Sequence, residues 1–197
     1  MGKLLRVIQG ASLLLALTAT PATATLIDFS SAAWAAAAGS SAYSVNGTTA
    51  SANYGRLSHD SSHGLGIYDR DYFTGTGDEV DNREKLSIDL GSTAFIEKIV
   101  VHKLFADECF LIFCWDEVGK YRLDGGDWHT FTGTMSGGSG MLAIMVGASG
   151  RYIDFKAYRP LKDDFSVKAI KTPEPGTLAL LGLGLAGMGA LRRRKAH

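Results

Sequence analysis

The sequence predicts an all-β protein: a jelly-roll-like β-sandwich followed by a single C-terminal transmembrane helix. Three observations predict it. Short segments alternate, as where Leu86, Ile88 and Leu90 fall on one face and Ser87 and Asp89 on the other, the period of a half-buried strand. Turn chemistry separates such segments at Asp124-Gly125-Gly126-Asp127, at 136–140 and at Ala148-Ser149-Gly150. Near the C-terminus, residues 176–191 consist only of Leu, Ala, Gly, Met and one Thr, with no charge.

From the start of the chain, Lys3 and Arg6 form a basic region, an apolar stretch centres on 13–17, and Pro21 ends it. Ala22 and Ala24 then supply small residues at the two positions a signal peptidase needs, so residues 1–24 read as a Sec-type signal peptide cleaved before Thr25. Residues 25–171 form one secreted domain, long enough to bury a core. Its expected strands are 25–29, 85–90, 95–104, 118–123, 141–146, 151–158 and 165–170. The Ala-rich stretch 32–38, with Gly39-Ser40-Ser41 behind it, reads as a short helix or loop, and Asn46-Gly47 as a turn. There are no long repeats, no heptads and no linker that would separate two domains.

Formal neutrality hides an asymmetry. Six of the twenty basic residues lie in the two ends, whereas all twenty acidic residues lie between Asp28 and Glu174. The region between the ends, counting Glu174, therefore carries a net charge of −6. That excludes a nucleic-acid partner, whose affinity comes mainly from cations neutralising phosphate. It leaves room for divalent cations and neutral polysaccharide.

The tail, 172–197, has three parts. Pro173-Glu174-Pro175 cannot lie inside a helix, because each ring fixes φ and removes a backbone donor. The sixteen residues 176–191 then span about 24 Å as a helix, short for a bilayer core of about 30 Å. Glycines 182, 184, 187 and 189 weaken that helix further. Arg192, Arg193, Arg194 and Lys195 form a basic stop that the positive-inside rule keeps in the cytoplasm. This order resembles the PEP-CTERM sorting signal of Gram-negative bacteria over residues 172–195. The resemblance implies that an exosortase-type membrane cysteine protease recognises Pro173, Glu174 and Pro175 as a substrate site. The alternative is a permanent single-span anchor. A second resemblance, to PEP-CTERM ectodomains, lies in Gly64-Leu65-Gly66-Ile67 followed by Asp78-Glu79-Val80-Asp81 and a strand from Lys85; it implies a secreted β-sandwich.

Chemistry-bearing residues are few. Cys109 and Cys114 form a disulfide by default in an oxidising compartment, with a redox or metal pair as the alternative. Asp69, Asp71, Asp78, Asp81 and Glu84 crowd oxygens into one connection; Asp69, Asp78, Asp81 and Glu84 are candidate ligands for a structural Ca²⁺, against the reading of a solvated acidic loop. No other cofactor is expected. Ser139 fails the nucleophile-elbow pattern because Met141 stands where glycine is needed. His59, His63, His102 and His129 fit no metalloprotease spacing. Tyr68, Tyr72, Phe73, Trp115, Tyr121, Trp128 and Phe131 are either core or sugar-stacking candidates. The expected protein is therefore no enzyme. It is exported, held briefly in the membrane by its tail, and sorted to the cell surface or an exopolysaccharide or biofilm matrix. The alternative is a carbohydrate-binding, lectin-like module, calcium-dependent if the acidic loop binds the ion.

Overall fold

In the computed structural model the described residues are 25–68, 79–81, 83–106, 108–110, 113–133, 139–159 and 163–173. They contain β1 (Thr25–Asp28), a 3₁₀ helix (Ala32–Ala37), β2 (Ala42–Val45), β3 (Thr48–Asn53), β4 (Arg56–Asp60), β5 (Gly64–Tyr68) and β6 (Lys85–His102). The chain continues through β7 (Glu108–Phe110), β8 (Phe113–Trp115), β9 (Val118–Leu123), β10 (His129–Thr132), β11 (Leu142–Ala157) and β12 (Ser166–Thr172). Ten strands join one antiparallel sheet in the order β10-β9-β11-β6-β12-β5-β4; β3 with β2 joins β6, and β1 joins β12. β7 and β8 form a separate hairpin.

Two long strands organise this sheet. Residues 85–89 of β6 lie between β3 and the second half of β11. Residues 98–101 lie between β12 and the first half of β11. The sequence predicts four strands here, separated at 91–94 and at Ala148-Ser149-Gly150; the structure has two. Ala148, Ser149 and Gly150 do not turn the chain but stay paired opposite Ile96, Phe95 and Ala94. Register shifts flank them, and Gly147 and Gly91 sit at φ 63° and 79°. Glycine takes these conformations without a Cβ penalty, so the strands bend through bulges instead of ending. The bend lets both halves of each strand face one core. Leu86 and Ile88 from one half join Ile96, Ile99 and Val101 from the other, with Ile153, Phe155 and Phe165, all fully buried. Each such side chain contributes roughly 1.5–3 kcal/mol. The result is all-β and sandwich-like, with unbroken hydrogen bonding between its halves.

Local sequence explains the smaller elements. Asn46 (φ 48°) and Gly47 (φ 83°) make the two-residue turn between β2 and β3, whose positive φ at both positions matches strand twist. The Ala-rich stretch forms one short 3₁₀ helix that buries Trp34, edge-on to Phe29 with ring centroids 4.9 Å apart. Gly119 in β9 lies under the Phe131 ring, where a Cβ would stand 2.2 Å from ring carbons. No helix among the described residues is long and apolar enough to cross a membrane. The expected span 176–191 lies outside the described residues.

Candidate functional site

The two ends of the folded region meet. β1 and β12 run antiparallel with Thr25 opposite Thr172 and Asp28 opposite Ala169. The Thr172 hydroxyl donates to the Thr25 carbonyl at 3.2 Å. Beside them Lys171 Nζ pairs with Glu97 Oε1 at 2.9 Å. Pro173 follows at once, half-buried, as the last described residue. Glu174, Pro175, the basic stop Arg192–Arg193–Arg194–Lys195, and the cleavage residues Ala22 and Ala24 lie outside the described residues.

The acidic connection is described only at its end. Asp69 and Asp78 lie outside; Asp81 and Glu84 are held by each other. The buried Glu84 accepts the Asp81 N–H at 3.0 Å and returns its own N–H to the Asp81 carbonyl at 2.9 Å. Glu79, also buried, pairs with Lys103 at 2.7 Å, and Val80 bonds to the Phe165 carbonyl at 2.7 Å. Among the described residues no group of three or more His, Cys, Asp or Glu is placed to hold a metal ion. Cys109 stands opposite Cys114 in the β7–β8 ladder.

The histidines separate by role. His59 reaches the Ser31 carbonyl at 3.2 Å, and His129 stacks on Tyr121 at 5.2 Å. His63 and His102 stack on each other with ring centroids 4.7 Å apart. His63 Nδ1 lies 3.0 Å from Asp60 Oδ1 but out of line for a hydrogen bond, and the buried His102 Nδ1 has no partner. Burial, then the charges of His63, Lys168 and Lys103, hold the His102 imidazole below the ordinary histidine range. Among the aromatics, Tyr121 and Phe131 are core, Tyr68 is exposed, Trp115 and Trp128 are half-buried, and Tyr72 and Phe73 lie outside the described residues.

The most organised polar surface is the outer face of β9, β11 and β6. Ile153, Phe155, Tyr121, Leu86 and Ile88 point inward, so alternation turns Lys120, Arg122, Tyr152, Asp154, Lys156, Lys85, Ser87 and Asp89 outward. Register brings these together. Arg122 stands opposite Asp154 and donates to Oδ2 through Nε at 2.9 Å and Nη2 at 2.8 Å. The Ser87 hydroxyl donates to Asp154 Oδ1 at 2.6 Å, and Lys85 Nζ lies 3.3 Å from the same oxygen. Burial pushes the Asp154 carboxyl up, but these three donors outweigh it and hold it below its ordinary range. Arg151 forks onto Asp89 through Nε at 2.8 Å and Nη2 at 2.9 Å. The Trp128 ring lies over Arg122 Cζ at 4.7 Å and Lys120 Nζ at 5.4 Å, and Lys120 Nζ is 5.6 Å from the Tyr158 ring. Lys156 stands directly opposite Lys120. The sequence singled out only Trp128 from this set. Alternation along 152–158 carried half of the signal; the cross-strand register that assembles the rest is absent from any local pattern.

The last strand of this all-β domain ends at Thr172, immediately before Pro173-Glu174-Pro175 in the sequence. Residues 171–195 match the PEP-CTERM protein-sorting motif. The chain thus carries the signal that an exosortase-type membrane protease recognises, and that marks an exported, membrane-anchored precursor processed to a surface or extracellular protein. No curated protein is detectably similar to this chain. Among solved structures, one titled "CpGH89CBM32-6 produced by Clostridium perfringens" is 14% identical, with 66% of this chain and 95% of that chain covered and a TM-score of 0.34. That likeness is too distant to bear on function.

Proposed function

We propose that this chain is a non-enzymatic, jelly-roll-like β-domain that is exported, paused in the membrane by the 176–191 span, and released by an exosortase-type protease to the cell surface or an exopolysaccharide matrix. One observation carries the reading. Among the described residues the first strand, from Thr25, and the last, to Thr172, are paired with each other beside the two expected cleavages. Thr25 and Thr172, the residues that adjoin the two expected targeting segments in sequence, are therefore neighbours. Processing at either end leaves every strand of the described residues in place. Intact-mass measurement on protein recovered from its native host tests this. A product beginning at Thr25 and ending near Pro173 supports it; retention of 191–197 overturns it in favour of a permanent anchor.

A second reading, a carbohydrate-binding module, is favoured by the Trp128 and Tyr158 rings on the β9–β11 face. In its calcium-dependent form, Asp69, Asp78, Asp81 and Glu84 hold the ion. Glycan binding abolished by a chelator supports that form, and binding indifferent to chelator removes calcium from it.

A further inference from the structure

On β9, the second half of β11 and residues 85–89 of β6, Lys85, Lys120, Arg122, Arg151 and Lys156 oppose only Asp89 and Asp154. Asp124 and Asp127 border this face in the loop after β9, and the Asp124 carboxylate is engaged by the backbone N–H groups of Arg151 and Tyr152 at 3.0 and 2.8 Å. A domain with a net charge of −6, counting Glu174, has thus gathered an excess of cations on one side.

Lys120 and Lys156 are the centre of that excess. Directly opposed residues on one face of an antiparallel pair have Cβ atoms about 4.5–5.5 Å apart, and like charges there are destabilising. Neither lysine has a carboxylate partner among the described residues. Lysines on a sheet face commonly guard an exposed edge, but β9 and β11 are interior strands, with β10 and β6 beyond them. The rings of Trp128 and Tyr158 stabilise Lys120, but the placing of the two lysines opposite each other stabilises nothing. An anion placed between the two ammonium groups would turn the repulsion into attraction. The Trp128 and Tyr158 rings flank the same spot, and Tyr158 is 53% exposed. Cations beside flat apolar rings suit a ligand that alternates carboxylates with apolar ring faces.

We infer that this face binds an acidic polysaccharide, its carboxylates held between Lys120 and Lys156 and its pyranose rings against Trp128 and Tyr158. The inference rests on the glycan-binding reading above and names the ligand class and the surface; it needs no metal ion. Nucleic acid shares the charge but must approach a chain whose remaining surface is acidic, which disfavours so long and dense a polyanion.

Affinity electrophoresis of the full-length protein in neutral detergent, through gels containing polygalacturonate, dextran or neither, tests it. Polygalacturonate is expected to retard the protein and dextran to leave it unretarded, with high salt relieving the retardation. Lys120→Gln with Lys156→Gln is expected to weaken binding at least about tenfold, and Trp128→Ala to weaken it as well. Lys98→Gln, a single charge loss on the other half of β6, is expected to leave it unchanged. Thermal melting shows that each variant is folded. Four results overturn the inference: no retardation by either glycan, equal retardation by dextran, tighter binding of a single-stranded oligonucleotide, or undiminished binding by the lysine double variant. Equal retardation by dextran would leave the glycan-binding reading standing, whereas no retardation by either glycan would remove both.

Discussion

Arg159 closes around the buried carboxylate of Asp163. Its Nη2 reaches Oδ1 at 2.7 Å and its backbone N–H reaches Oδ2 at 2.6 Å, while Oδ1 also accepts the Val118 N–H at 3.0 Å. The Asp163 side chain is fully buried and that of Arg159 is 37% exposed. The same guanidinium donates to the Asp116 carbonyl. One carboxylate therefore ties the start of β9 to the segment leaving β11. Asp163→Ala removes the acceptor for two backbone donors and leaves an arginine facing a hole. The half-exposed arginine can turn to solvent, so the cost is mainly that of the lost backbone acceptor, about 1–3 kcal/mol. Urea denaturation is expected to show a loss of this size for Asp163→Ala and a smaller one for Asp163→Asn, which keeps one acceptor. A loss under about 1 kcal/mol would mean that the contact is incidental.

How legible this protein was depends on the kind of signal each part carries. The tail was readable because its parts act through local chemistry: proline geometry, an uncharged run, a basic stop. Strand 118–123 was readable because Tyr121 and its neighbours alternate. The hairpin of β2 and β3 was not, because Tyr43-Ser44-Val45 and Thr48-Thr49-Ala50 offer only short, weakly apolar alternation. β6 and β11 were each cut in two because glycine and serine mark a turn and a bulge alike, and only the partner strand decides between them. For the same reason the Lys120–Lys156 pair, 36 residues apart in sequence, was invisible until register placed it.

Stability should fall as pH drops below about 6.5, through His102. Its imidazole, buried at the end of β6 and stacked on His63, is harder to protonate in the folded state than in the unfolded chain. Lys103 beside it in sequence, Lys168 from β12 and His63 from the β4–β5 turn all oppose a proton there, and Asp60 favours one. Above the unfolded value neither state holds the proton and the group is silent. Below it the unfolded chain gains a proton that the folded chain refuses, until the pH passes the lower folded value. Asp60, held below its ordinary range first by the Ser62 N–H, acts only at much lower pH. Urea titrations at about pH 7 and pH 5 should therefore show a loss in the parent protein that His102→Phe reduces. An equal loss in both would assign the acid sensitivity elsewhere.

Cys109 and Cys114 face each other across a two-residue connection between β7 and β8. A disulfide joins Cβ atoms about 3.5–4.5 Å apart, and directly opposed ladder positions are the ones that come nearest to this spacing. The closed loop is short, and its entropic gain is about 2 kcal/mol. The bond is thus expected to form outside the cytoplasm and to contribute modestly to stability, as a clip on a hairpin that lies outside the ten-stranded sheet. Protein recovered from the native envelope should resist thiol alkylation until it is reduced, and then take up two labels. Cys109→Ser with Cys114→Ser should lower the melting temperature slightly without altering glycan retardation. Two labels taken up before reduction would show the pair unbonded, and would count against export as well, since that compartment oxidises such a pair.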